Sequence, residues 1–307
     1  VFAWHAAHAD YYVGQRHAGR VLLMGRRTNS YRGWFRLLSE QHIPFQAAGN
    51  YRWLEQRPEA FDLVIATEPP PPELESWVRN GGRLLVAGVD PPVFGTPTPV
   101  KRWRDVRGYF RIHDHRLFPS LRLTRLTWLY GDYTELPPLE QPLLTLIPPS
   151  MFGPPEKVFT DAMETDKPGV YMTSLGRGKL VYVPWDVGGL YYRYSSHTHA
   201  GLMRDLIDFL LPAGRQLLTD AHPLVEISFM EQPEKRRLLV HFVNLSGHSQ
   251  TAYFPAIPIG KIRVRLAAEF EKARSLALGE SLTVMRVANY REFQLPRLED
   301  YDLVVLE

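Results

Sequence analysis

Three carboxylates, Glu68, Asp90 and Asp186, each follow a short apolar run of the chain. Carboxylates gathered on one cleft can divide general acid and general base work between them. Two His-x-His pairs, His113/His115 and His197/His199, are the other reactive spacing. On a strand, histidines two apart share a face and can grip one metal, and four nitrogens with a carboxylate would suit zinc. The second pair, however, falls at a helix start capped by Ser195 or Ser196, where such a pair diverges, so no metal or other cofactor is expected. Trp185, Tyr191, Tyr192 and Tyr194 cluster around Asp186 and Arg193. Aromatic faces stack on sugar rings while carboxylates take their hydroxyls, and the same residue types also fill core and interface positions. We read this cluster first as core or interface and second as a sugar contact. Arg26, Arg27 and Asn29 follow the first strand, but Gly25-Arg26-Arg27 lacks the glycine spacing of a phosphate loop, so a solvated charged loop is expected there.

Composition narrows the chemistry. The 307 residues include no cysteine, which excludes disulfides, thiolate ligands and cysteine nucleophiles together and suits a cytoplasmic location. Thirty-six Lys and Arg against 33 Asp and Glu give a net charge of +3, with the two signs interspersed. No basic stripe emerges, so a nucleic-acid partner is not expected. No apolar run approaches the ~20 residues that cross a bilayer, and no membrane partner is expected either. The chain starts with Val1, as a piece of a longer polypeptide would, and its length suits two domains.

The elements that must position these residues follow an α/β pattern from Arg20. Val21–Met24, His42–Phe45, Phe61–Ala66 and Arg83–Ala87 read as short apolar strands. Helices alternate with them: one carries Tyr31, Trp34, Phe35 and Leu38 on a face, a turn runs from Tyr51 to Gln56, and one bears Leu74, Trp77 and Val78 and ends at Gly81-Gly82. This predicts a parallel, flavodoxin-like or amidotransferase-like sheet with helices on both faces. Between about Asp90 and Leu175 the alternation breaks into an inserted antiparallel region, with strands at Gly108–Ile112, Leu121–Leu129, Leu143–Ile147 and Gly169–Thr173. A last parallel strand at Lys179–Val183, an aromatic loop and a helix from about Ser196 to Leu211 close the domain at Pro212. The period then becomes two. Runs at Leu224–Met230, Arg237–Leu245, Lys261–Leu266, Ser281–Val287, Glu292–Leu295 and Tyr301–Leu306 predict a small sandwich of immunoglobulin-like size. The expected division is 1–17 as an N-terminal helix or tether, 18–215 as the α/β domain and 216–307 as the sandwich.

The segments Trp77-Val-Arg-Asn-Gly-Gly-Arg-Leu-Leu-Val86 and Gly176-Arg-Gly-Lys-Leu-Val-Tyr-Val183, with the strand–helix order, carry a resemblance. Arg20 to Pro212 resembles the class I glutamine amidotransferase-like fold, in the form that bacterial β-galactosidases carry as a trimerisation domain. The closing stretch Leu295-Pro-Arg-Leu-Glu-Asp-Tyr-Asp-Leu-Val-Val-Leu306 is similar to the ends of bacterial glycoside hydrolases. In those chains a (β/α)8 barrel precedes the amidotransferase-like domain, and a β-sandwich follows it. The resemblance implies that residues 1–17 are the tail of such a barrel or stand in for it, and that any glycosidic carboxylates lie on the barrel.

An amidotransferase needs a cysteine at a sharp strand-to-helix turn and a histidine at a later strand end. Here those places read Gly88-Val89-Asp90 and Pro184-Trp185-Asp186, so amidotransferase activity is not expected. The expectation is a non-catalytic assembly or accessory region of a carbohydrate-active protein, partnered by itself or by a catalytic barrel. Two alternatives stay open. One is a saccharide-acting hydrolase using Glu68, Asp90 and Asp186; the other is a sugar-binding module centred on Trp185 and Tyr192.

Overall fold

A computed structural model describes residues 2–49, 52–149, 163–249 and 251–307. The chain is an α/β domain with an inserted antiparallel region, followed by a β-sandwich. It divides into two compact units: Leu22–Leu37 with Ala47–Gly214, and Val1–Val21 with Leu38–Gln46 and Arg215–Glu307.

The α/β unit is built on a six-stranded sheet in the order Phe45–Ala48, Val21–Met24, Leu63–Ala66, Arg83–Ala87, Gly178–Val183, Tyr171–Leu175. Leu63–Ala66, Arg83–Ala87 and Gly178–Val183 run parallel, and Tyr171–Leu175 closes the edge antiparallel. Both alternations along these strands are buried, as expected of a sheet covered on both faces. Leu22, Val64, Leu84 and Leu180 pack with Leu54, Leu74 and Val78 from the helices Arg52–Gln56 and Glu73–Arg79. On the other alternation Leu23, Ile65, Leu85 and Val181 are equally buried, and the helix His197–Leu210 packs against Arg83–Ala87. The inserted region is a three-stranded antiparallel sheet, with Lys101–Ile112 between Leu126–Glu135 and Leu144–Ile147.

The sandwich pairs a six-stranded sheet, whose middle is Val225–Gln232, Arg237–Asn244 and Tyr301–Leu306, with a four-stranded one centred on Ile259–Leu266 and Tyr290–Leu298. Val240, Phe242, Val264, Leu266, Phe293 and Val304 fill the space between them. The opposite alternation, Leu239, Leu303 and Val305, is covered by Tyr11 and Tyr12.

Several elements differ from the sequence reading for local reasons. The first seventeen residues are two short helices, Phe2–Ala7 and Ala9–Tyr12, and a strand pair of Arg16–His17 on Val225–Gln232. Gly14, at φ 75°, turns the chain between them, and Asp10 is held by Lys235 and Arg237. The second strand begins at Phe45 rather than His42, because His42 sits in the left-handed region at φ 51° and Pro44 has no N–H for a ladder. Leu121–Leu129 is a 3-10 turn at Pro119–Leu121 and then a strand from Leu126 to Glu135. The expected aromatic loop is a helix, Val187–Tyr194, and Ser195 at φ 52° ends it before His197–Leu210 begins. The expected helical turn forms as Arg52–Gln56, while Tyr51 lies outside the described residues.

Candidate functional site

The carboxyl edge of the parallel sheet opens into a cleft of about 310 Å³ in the α/β unit, lined among others by Asp90, Arg102, Tyr130, Asp132, Asp186 and Arg193. Two strand ends supply its floor. Gly88 follows Arg83–Ala87 at φ 67°, and a Cβ there would come within 3.1 Å of Asp186, so the close approach of the two turns requires glycine. Asp186 follows Gly178–Val183 and caps the next helix, its Oδ1 accepting from the Gly189 N–H at 2.7 Å.

The inserted hairpin supplies the wall. Its register shifts between Trp103 and Val106, and in this bulge Asp105 takes φ 47°. Asp132 on the facing strand holds the bulge: it accepts from the Asp105 N–H at 3.2 Å, Arg102 Nη2 at 2.9 Å and Arg104 Nη1 at 2.5 Å. Burial raises the Asp132 pKa, but these donors outweigh it and hold the carboxyl below its ordinary range. Arg102 also pairs with Asp90, so one guanidinium ties the strand-end turn to the hairpin. A backbone bridge between Tyr133 and Trp185, and the Thr134 N–H donating to the Pro184 carbonyl at 2.9 Å, fasten the same two segments.

The sequence-predicted carboxylates divide. Asp90 and Asp186 line the cleft, whereas Glu68 does not and pairs with Arg26 at 3.5 Å. The aromatic cluster divides too. Trp185 is 1% exposed, stacked on Phe110 with centroids 5.1 Å apart, and its Nε1 donates to the Gly169 carbonyl, so its face is not open to a sugar. Tyr191 is buried with the Arg36 guanidinium over its ring, and Arg193 lines the cleft. Tyr192 and Tyr194 are exposed, the latter edge-on to Trp128 at 5.0 Å.

Among the described residues no three His, Cys, Asp or Glu side chains gather as ligands, at either His-x-His pair or elsewhere. His113 bonds Glu164 and Thr145. His115 Nδ1 is buried, and His197 begins its helix exposed. His199 is fully buried, with Nε2 2.8 Å from the Trp128 carbonyl, and burial pushes it down to about 4.

Sequence reasoning missed Arg102, Tyr130 and Asp132. The hairpin begins at Lys101, well before the predicted strand, and the charged run Lys101–Asp105 masks the alternation that would have marked it. The cleft offers carboxylate acceptors and guanidinium donors in mutual contact. Such a set orders hydroxyls, while a carboxyl held ionised, as Asp132 is, has no proton to give a leaving group.

No family model matches the chain, and no curated protein matches it. Solved structures do share its fold. α-L-Fucosidase isoenzyme 2 from Paenibacillus thiaminolyticus aligns at a TM-score of 0.77 and 17% identity, over 100% of this chain and 51% of that one. A β-galactosidase from Bacillus circulans sp. alkalophilus aligns at 0.60 and 13% identity, covering 97% and 43%. The cold-adapted β-galactosidase from Rahnella sp. R3 aligns at 0.55 and 14%, covering 97% and 42%. The chain thus spans about half of the first of these structures and less of the others, and at such identities the likeness is one of fold. No helix among the described residues is long and apolar enough to cross a membrane.

Proposed function

We propose that this chain is an accessory, assembly-forming region of a glycoside hydrolase-related protein. Its α/β unit would be an amidotransferase-like domain of the β-galactosidase trimerisation type that has lost amidotransferase chemistry. One observation carries the reading: the whole chain aligns with about half of a longer fucosidase chain. The strand-end turns support it, since Gly88-Val89-Asp90 and Pro184-Trp185-Asp186 hold neither a thiol nor an imidazole. Its partner would be a second copy or a catalytic barrel, met by the exposed Tyr192, Arg193 and Tyr194, residue types that carry interfaces.

Light scattering on the purified chain tests this. A dimer or trimer that does not hydrolyse aryl glycosides is the expected result. A strict monomer that binds no barrel would sink it.

A second reading rests on Asp90 and Asp186 lining one cleft, as a hydrolase working at the sheet edge would need. It requires turnover by the chain alone, lost in Asp90→Ala and Asp186→Ala.

A further inference from the structure

The first helices of the chain lie on the outer face of the sandwich's larger sheet, within the same compact unit. Phe2–Ala7 and Ala9–Tyr12 are six and four residues long, and neither holds a fully buried residue. Helices this short do not persist in water without packing, so the segment belongs to the low-stability end of the molecule. Three fastenings hold it. Tyr11 and Tyr12 pack on Leu239, Leu303 and Val305. Gln232 Nε2 donates to the Asp10 and Val13 carbonyls at 2.9 and 2.7 Å, while Lys235 and Arg237 grip the Asp10 carboxylate. The third is a chain of hydrogen bonds: Trp4 Nε1 donates to the Tyr12 hydroxyl at 2.8 Å, the Tyr12 and Tyr301 hydroxyls lie 2.9 Å apart, and the Tyr301 hydroxyl lies 2.7 Å from His241 Nδ1.

That third fastening depends on protonation. An indole N–H only donates, so the arrangement that gives each phenol proton an acceptor runs one way, from Trp4 through Tyr12 and Tyr301 to His241 Nδ1. It needs a lone pair on Nδ1. Protonating His241 makes that nitrogen a donor, Tyr301 turns its proton back to Tyr12, and Tyr12, with a donor on either side, loses its acceptor in the network. The groups facing His241 do not welcome the charge. Tyr12 and His5 come from the segment itself, His17 from the strand Arg16–His17, Ser228 and Leu303 from the neighbouring strands, and Glu299 and Asp300 from the rim of an adjoining cavity. Burial, with charge on His17 and His5 adding to it, pushes His241 down to about 4 from its ordinary 6.5, and the rim carboxylates do not offset this. Asp10 answers in the other direction: its bonds to Lys235 and Arg237 hold its carboxyl below the ordinary value of 3.8, so that clasp outlasts the histidine as pH falls.

We propose that residues 2–13 are an acid-released strap: protonation of His241 breaks the chain to Trp4, the strap swings out about Gly14, and the apolar face of Leu239, Leu303 and Val305 is uncovered. Gly14 suits a hinge, at φ 75° with open space around it, and the pairing of Arg16 and His17 with Glu231 and Met230 anchors the chain beyond it. The switch is independent of the assembly reading above.

Hydrogen exchange on the full chain from pH 7.5 to pH 5, corrected for the intrinsic pH dependence of exchange, tests this. The reporters are the amides of His8, Tyr11 and Val13, which are bonded within the strap. A value of 6.5 in the released state against about 4 in the strapped one lowers their protection roughly thirtyfold over that range, while Arg237–Asn244 keeps its own. His241→Gln, which offers Tyr301 an acceptor that does not titrate, should leave strap protection flat with pH. Asp10→Asn should lower it at every pH and keep the dependence. The proposal is overturned if strap protection is unchanged at pH 5, if Arg237–Asn244 opens with it, or if His241→Gln still responds to acid. It also fails if Asp10→Asn abolishes the response, which would make the clasp the sensor; that arm decides the matter should His241→Gln not fold.

Discussion

The two units each hold a histidine largely out of water, His199 fully and His241 in part, and the two are wired through different ring nitrogens. In the α/β unit, His199 donates Nε2–H to the Trp128 carbonyl, and its Nδ1 lone pair meets no donor among the described residues. Trp128 and Trp185 close around the ring, with centroids at 4.5 and 5.7 Å. In the sandwich unit, His241 is held through the other nitrogen: Nδ1 lies 2.7 Å from the Tyr301 hydroxyl, and among the described residues the buried Nε2 meets no partner. An unmet acceptor walled in by tryptophan is a feature of packing. A ring held through two tyrosine hydroxyls and an indole N–H is a feature of a polar network.

The largest way to break this contrast is to remove the wall. Trp185→Ala deletes a fully buried side chain that stacks on Phe110 and lies beside His199, and should destabilise the α/β unit by about 3–5 kcal/mol. Denaturant unfolding followed by hydrogen exchange in each unit would read it. The sandwich should keep its protection. A loss shared equally by both units would mean that they do not unfold separately.

Acid comes next. Both histidines have an ordinary value of 6.5 and are pushed down to about 4 when folded. The unfolded chain therefore binds protons at a higher pH than the folded one. Stability is fully present above about pH 6.5 and drains as pH falls toward 4, by up to about 3 kcal/mol for each histidine. His241→Phe should flatten that slope in the sandwich alone, and His199→Phe in the α/β unit alone. A slope that survives in the matching unit would assign the acid sensitivity to other groups.

The same contrast marks what the sequence could say. The parallel strands were legible because Val21–Met24 and Arg83–Ala87 are buried on both faces and so read as unbroken apolar runs. Asp90 and Asp186 were legible as strand-end residues, since chain order alone places them on one edge. Arg102 and Asp132 were not, because a bulge and a positive-φ Asp105 aim them, and neither has a periodicity. Trp185 kept two readings, core or interface first and sugar contact second, for a related reason: a tryptophan beside an aspartate looks the same in sequence whether its face is open or lies on Phe110. The cavity around His241 was invisible, because Trp4 and Tyr12 come from a segment that offered no partner in sequence.

A smaller effect tests the cleft's floor. Asp186→Ala removes the acceptor of the Gly189 N–H and should cost about 1 kcal/mol of α/β stability, while Asp186→Asn, which caps as well, should cost little. Equal losses in both variants would mean that the charge, rather than the cap, is what the turn uses.

The smallest effect belongs to the carboxylate that the fold leaves out. Among the described residues Glu68 pairs with the 89%-exposed Arg26 side chain at 3.5 Å, and solvent screens such a pair, so Glu68→Gln should shift stability by less than about 0.5 kcal/mol. Asp90 is exposed as well, yet its partner Arg102 is also bonded to Asp132, so Asp90→Asn should disturb the hairpin where Glu68→Gln does not. Hydrogen exchange along Lys101–Ile112 separates the two. Faster exchange there in Asp90→Asn but not in Glu68→Gln would assign the organising role to the arginine, and equal behaviour would return Asp90 to the status of a loop charge.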